Sequence, residues 1–204
     1  MIIPAILEKN WEEIEKKLEI CRSFANTIHI DFIDGKFADN SSFLEFEPFK
    51  KYSEYFFLEA HLMVEEPVNY LDRLSSAGFK RFLGHVEEMS DQVEFVAKGE
   101  QLGAVGLALD IETPTSDIKV SLEDLDQILL MSVIAGRSGQ EFDKIIIPKI
   151  EELRDKGFAN IEIDGGINNQ TLPLAKNAGA NMFCVTSFLF KDNPEEQFRI
   201  LSSV

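Results

Sequence analysis

Cysteine, tryptophan and positive charge are all scarce in this chain. Its 204 residues include two cysteines and one tryptophan. Cys21 and Cys184 lie far apart in apolar surroundings, which argues against a disulfide framework and for a reduced, cytoplasmic protein. Lys and Arg number 20 against 36 Asp and Glu, so the formal net charge is −16. Nucleic acid and anionic membrane surfaces are poor partners for such a chain, because both are held by clustered cations. No apolar run approaches the roughly 18 to 20 residues that span a bilayer. The first residues, Met1-Ile2-Ile3-Pro4-Ala5-Ile6-Leu7-Glu8, have no basic flank, so no signal peptide is expected. No low-complexity stretch or Gly/Ser linker divides the chain, which suits one domain over residues 1–204.

Core-forming material is plentiful. Hydrophobic residues make up 45% of the chain, with 17 Phe. Short apolar runs alternate with longer amphipathic ones. The apolar runs Ile2–Leu7, Thr27–Asp31, Phe56–Met63, Arg81–His85, Ala104–Leu109, Gln127–Val133, Asn160–Ile163 and Asn181–Val185 predict strands. Helices are predicted over Trp11–Phe24, capped by Asn10, and over Val68–Ala77, Ser90–Lys98, Glu141–Lys156, Thr171–Ala178 and Glu195–Leu201. Ser116–Leu125 is a weaker helical pattern, and Pro48 breaks Glu45–Tyr52. Apolar strands alternating with helices imply a parallel sheet covered on its outside, either a closed barrel or an open doubly wound sheet. The strand count favours an α/β barrel, a single (β/α)8 unit. A dinucleotide fold would place glycines after the first strand, where this chain has Leu7-Glu8-Lys9-Asn10.

The three histidines, His29, His61 and His85, fall at or near the C-terminal ends of the second, third and fourth strands. That face carries the active site in barrels. With period two, His29 and Asp31 point to one side of their strand. Inside a barrel such a pair is costly unless it is hydrogen-bonded or metal-bound. His61 on the adjacent strand would add a third ligand. His85-Val86-Glu87 repeats the spacing and reads as a supporting pair. Asp164-Gly165-Gly166 closes the seventh strand, with glycines that let backbone N–H groups approach an anion. Thr186-Ser187 follows the eighth strand, and barrel phosphate sites use these two loops. The sixth loop, Ile134-Ala135-Gly136-Arg137-Ser138-Gly139-Gln140, reads either as a lid bearing one cation or as an ordinary connection.

Taken in order, these segments resemble the ribulose-phosphate 3-epimerase family through essentially the whole chain. The pieces that carry the resemblance are Pro4-Ala5-Ile6-Leu7, His29-Ile30-Asp31-Phe32-Ile33-Asp34-Gly35 with Asn40, His61-Leu62-Met63-Val64, His85-Val86-Glu87 and Leu130-Met131-Ser132-Val133. They continue through Gly136-Arg137-Ser138-Gly139-Gln140, Asp164-Gly165-Gly166-Ile167-Asn168, and Thr186-Ser187 before Phe190.

The resemblance implies a metal-dependent isomerase of carbohydrate metabolism and the pentose phosphate pathway. Its expected reaction converts D-ribulose 5-phosphate to D-xylulose 5-phosphate through a cis-enediolate. One divalent ion (Zn, Fe, Mn or Co) is implied on His29, Asp31, His61 and Asp164. Asp31 and Asp164 match the acid/base pair, one for each face of the sugar. His61, Gly136, Arg137, Ser138, Gly139, Gly165, Gly166, Thr186 and Ser187 match substrate- and phosphate-binding positions. Met63 and Met131 match residues that pack over the site. A homo-oligomer is a further implication.

Several positions depart from the family pattern. Ala5 stands where the family has Ser, Ile33 where it has Met, Thr186 where it has Gly, and the sixth loop is rewritten. These departures keep two other readings open: epimerisation of a hexulose 6-phosphate such as allulose 6-phosphate, and a non-catalytic sugar-phosphate-binding barrel.

Overall fold

A computed structural model describes residues 1–204 except Ser138. Eight parallel strands close into a barrel in strict sequence order, β1 pairing with β8. They are β1 Ile2–Ile6, β2 Thr27–Ile33, β3 Phe57–Met63, β4 Phe79–His85, β5 Ala104–Leu109, β6 Gln127–Met131, β7 Ile161–Asp164 and β8 Met182–Val185. The (β/α)8 barrel expected from the alternation is therefore the observed fold. Strand ends differ from the sequence reading by at most two residues, as at β2, β4 and β6. β2 runs on to Ile33 because Phe32 and Ile33 are themselves buried and pair with Leu62 and Met63.

Helices α1 Trp11–Cys21, α2 Leu71–Ser76, α3 Gln92–Leu102, α4 Ile147–Asp155, α5 Leu172–Ala178, α6 Ser187–Phe190 and α7 Pro194–Ser202 lie between or after the strands. Asn10 caps α1 by accepting from the Glu13 N–H at 3.0 Å, and Asp91 and Asn193 do the same for α3 and α7. The outward-facing strand residues and the helices form one large apolar layer. Phe32, Phe49 and Phe79 pack edge to face within it, with ring centroids 5.3 to 5.8 Å apart.

The helices differ from expectation in several places: α1 stops at Cys21, and a 3-10 turn at Pro67–Tyr70 precedes α2. α3 does not end before Gly99 but continues to Leu102. Gly99 is there for packing, since a Cβ would lie 2.5 Å from the Val105 side chain of β5. The helix expected over Glu141–Lys156 begins only at Ile147, after a 3-10 turn at Lys144–Ile146. Pro148 explains this, because proline is accommodated only in a first turn. Ser116–Leu125 is not a helix but two 3-10 turns, Thr115–Asp117 and Leu122–Asp124, separated by the β-branched Ile118 and Val120. α6 was not expected at all; at four residues it is too short for a periodic signal.

Candidate metal and phosphate site

The inner face of the barrel is unusual in being polar on one side. Alternation along β2 turns His29 and Asp31 inward, and the register sets His29 beside Glu59 and Asp31 beside His61 of β3. β7 contributes Glu162 and Asp164 by the same alternation, with Cys184 of β8 paired to Asp164. On the other side of the interior, Ile33, Met63, Leu83, Leu129 and Met131 form a small apolar cluster.

Four ligand-type atoms converge toward the open end. His29 Nε2 lies 3.2 Å and His61 Nδ1 2.8 Å from the same Asp31 oxygen, Oδ1. Asp164 Oδ2 is 3.8 Å from His61 Nδ1. All four residues offer atoms within 4.8 Å of one another. Two imidazole nitrogens and two carboxylate oxygens, on rigid strands and nearly sealed from solvent, are a donor set that suits a divalent transition ion. The residues fit the group that the resemblance implied.

Two hydrogen-bond chains orient the imidazoles. His29 Nδ1 faces Glu59 Oε1 at 2.6 Å. His61 Nε2 faces His85 Nε2 at 2.9 Å, and His85 Nδ1 faces Glu87 Oε2 at 2.9 Å. The Glu87 carboxylate only accepts, so His85 donates from Nδ1. His85 Nε2 then accepts from His61 Nε2–H, which leaves the His61 Nδ1 lone pair directed at Asp31 and Asp164. Glu87 is fixed in turn by the Asp110 N–H at 2.7 Å. His85-Val86-Glu87 thus supports the cluster rather than forming a second one.

The two aspartates sit in opposite electrostatic states. Burial works against ionised Asp31, but its contacts with the imidazoles, led by the hydrogen bond from His29, outweigh it and hold its carboxyl below the usual range. Burial and then the nearby Asp31 charge push the Asp164 carboxyl up. Burial also lowers the His61 imidazole to about 4, keeping it neutral. In the metal-free chain the two neighbouring carboxyls are thus shifted in opposite directions.

Above this cluster lies a cleft of about 480 Å³, part of it open solvent. Asp31, Asp164, Met63 and Met131 line one end; Gly136, Arg137, Gly139, Gly165, Gly166, Thr186 and Ser187 line the other. Ser138 lies outside the described residues. His61 is fully buried and is not among the lining residues, so it stands behind Asp31 rather than at the wall. Gly166 has φ +61°, and a Cβ there would fall 2.3 Å from the Phe142 nitrogen. A side chain is excluded where the seventh loop passes beneath the sixth. Asn40 Nδ2 donates to the Gly136 carbonyl at 2.8 Å, tying the second loop to the sixth.

The sequence reading missed Glu59, Gln127, Glu162 and Cys184, all buried in the barrel interior. A usable signal existed: Glu59 precedes His61 by two residues and Glu162 precedes Asp164 by two, the same inward alternation as His29 and Asp31.

Fold and cluster together define a (β/α)8 barrel with a two-imidazole, two-carboxylate centre beside an anion-sized loop cradle. The model of the ribulose-phosphate 3-epimerase family matches residues 1–190. A ribulose-phosphate 3-epimerase of Schizosaccharomyces pombe is 32% identical over 203 residues, covering 96% of this chain and 89% of that protein. One from Bacillus subtilis is 32% identical over 199 residues, covering 93% and 91%. Among solved structures, a ligand complex of KGPDC from Streptococcus mutans superposes with a TM-score of 0.75 at 12% identity, covering 99% of this chain and 95% of that one. That likeness bears on the fold alone. The chain belongs to the ribulose-phosphate 3-epimerase family and is an isomerase, a sugar-phosphate 3-epimerase. Among the described residues, no helix is long and apolar enough to cross a membrane.

Proposed function

We propose that this protein interconverts D-ribulose 5-phosphate and D-xylulose 5-phosphate with one divalent ion and the Asp31/Asp164 pair, in the cytoplasm. The convergence of His29, Asp31, His61 and Asp164 at the floor of the cleft is the observation that carries this reading. When bound, the ion supplies positive charge that offsets the developing cis-enediolate. Asp31, ionised beside the ion, takes the C3 proton from one face of the sugar. Asp164, on β7 across the site, returns a proton to the opposite face; the roles exchange in the reverse direction. His29 and His61 hold the ion. His61 has no place at the cleft wall and acts there, not on the sugar.

Met63 and Met131 are nearly fully buried and line the reacting end of the cleft, so they exclude water from the carbanionic species. The phosphate binds between the sixth, seventh and eighth loops. Backbone N–H groups near Gly165, Gly166 and Ser187 approach it, and Arg137 adds a guanidinium. The net charge of −16 opposes an anionic substrate, which makes a local cation at this end useful. The relatives quoted above bear the ribulose-phosphate name and do not favour the hexulose or the non-catalytic reading. A coupled assay of purified, metal-loaded protein against a panel of ketose phosphates tests the proposal. Highest kcat/KM on D-ribulose 5-phosphate is expected; preference for a hexulose 6-phosphate, or no turnover of any, would overturn it.

A further inference from the structure

Beneath the metal-type cluster lies a second one in which His29 Nδ1, Glu59, Glu162 and Cys184 again gather within 4.8 Å. It is fully buried, and the reaction proposed above makes no use of it. Two functions compete for it: a second ion, or a device acting on His29. What the donors are already bonded to decides between them. Here His29 Nδ1 is 2.6 Å from Glu59 Oε1, and Cys184 Sγ is 2.8 Å from Glu162 Oε1 and 3.2 Å from His29 Nδ1. These are hydrogen-bond lengths.

The positive charge is also already present. Arg81 donates to Glu59 Oε2 at 2.6 Å, and the Gln127 amide reaches Glu59 Oε2 at 3.2 Å and Glu162 Oε2 at 2.5 Å. Each glutamate therefore has one oxygen pinned by a neighbour and the other turned to a proton: Glu59 toward His29 Nδ1–H at 2.6 Å, Glu162 toward the Cys184 thiol and, at the longer distance of 3.2 Å, toward the same Nδ1.

We propose that Glu59, locked by Arg81 and Gln127, is a positioning residue for metal loading. By accepting from Nδ1–H it fixes the ring of His29 and makes Nε2, the nitrogen facing Asp31, the one available to an ion. Glu59 thereby does for His29 what Glu87 does for His61 through His85, but on the opposite ring nitrogen. The proposal rests on the metal-dependent reading above. Glu59 touches neither the cleft nor the sugar, so its influence on the ion passes through His29.

The test compares zinc-loaded wild type with Glu59→Gln. In the wild type, ring-nitrogen correlation spectra should show His29 protonated on Nδ1 and coordinated through Nε2, with one zinc per chain. Glu59→Gln should raise the zinc dissociation constant about 10- to 100-fold. An outer-core variant, Ile150→Val, separates this from loss of stability, since it should lower the unfolding midpoint and leave zinc affinity alone. If Glu59→Gln does not fold, Glu59→Asp keeps the charge and shortens the reach, and should weaken zinc binding in the same direction. Zinc affinity within twofold of wild type in the folded Glu59 variant, or coordination of His29 through Nδ1, would overturn the proposal. So would two ions per chain with a cobalt–thiolate absorption lost in Cys184→Ser, which would assign the lower cluster to a second metal. Absence of any zinc binding by the wild type would instead overturn the metal-dependent reading itself.

Discussion

The two ends of the cleft are built by different means. At the reacting end, every side chain stands on a strand: His29 and Asp31 on β2, His61 on β3, Asp164 on β7. Their positions are set by barrel register and by buried hydrogen-bond partners, and they are closed to solvent or nearly so. At the other end, Gly136, Arg137, Gly139, Gly165, Gly166, Thr186 and Ser187 sit in or beside loops, held by backbone turns and by Asn40 bridging to Gly136. Strands fix side-chain direction to within the pleat. Loops fix backbone N–H groups and leave side chains to vary. The departures from the family pattern follow this division in part. The four ligand positions are kept, while the sixth loop and Thr186 are changed, although Ala5 and Ile33 show that strand positions also drift when they are not ligands.

If that division is right, substitutions at the strand end act on chemistry and those at the loop end on binding. The largest effect is expected for Asp31→Asn and Asp164→Asn, each lowering kcat by at least about 10²- to 10⁴-fold in a coupled assay, because each face of the sugar needs its own proton carrier. Undiminished turnover in either would break the comparison at its stronger end. His61→Ala should come next, with metal content falling by elemental analysis and activity partly restored by excess divalent ion. Removing the ion from the wild type with a chelator should abolish turnover reversibly.

Arg137→Ala should be milder: KM up roughly tenfold, with kcat and metal content unchanged, as expected for about 1.5 to 3 kcal/mol of charge-assisted hydrogen bonding. The effect should shrink as ionic strength rises. An unchanged KM at low ionic strength would return Arg137 to the solvated surface.

The smallest effect concerns stability and pH in the metal-free chain, because the contributions oppose one another. Asp164 is raised by burial and the Asp31 charge, and Glu162 by burial and the Glu59 charge. A carboxyl raised in the folded state binds a proton that the unfolded chain has already released. Stability from these two is therefore lost as pH climbs from the ordinary carboxylate range toward about 7. His61, lowered to about 4 by burial, acts the other way between about 4 and 6.5. His29, also raised, adds to the loss toward the upper end of this range, so the denaturation midpoint of metal-free protein should fall between about pH 4.5 and 7. Metal should flatten the slope by displacing the proton from Asp164, leaving the part due to Glu162. A midpoint that rises over this interval without metal would refute the assignment.

The barrel was legible because its strands are apolar on both faces and regularly spaced; period-two spacing placed His29 with Asp31, and the family resemblance added His61 and Asp164 to the cluster that the structure brings together. Glu59 and Glu162 were not legible for a physical reason. A single glutamate within an apolar strand resembles an exposed position until the chain closes and turns that face inward. Ser116–Leu125 misled because polar and apolar residues alternate at nearly helical spacing there, while Ile118 and Val120 resist a helix. α3 ran past its expected end because Gly99 answers to packing against Val105, not to helix termination.

Turnover in deuterated water addresses the central claim most directly. Wild-type, metal-loaded protein acting on D-ribulose 5-phosphate should give D-xylulose 5-phosphate carrying solvent deuterium at C3, since the proton is removed to one aspartate and replaced from the other. D-xylulose 5-phosphate that retains its original hydrogen at C3 would contradict the two-aspartate account.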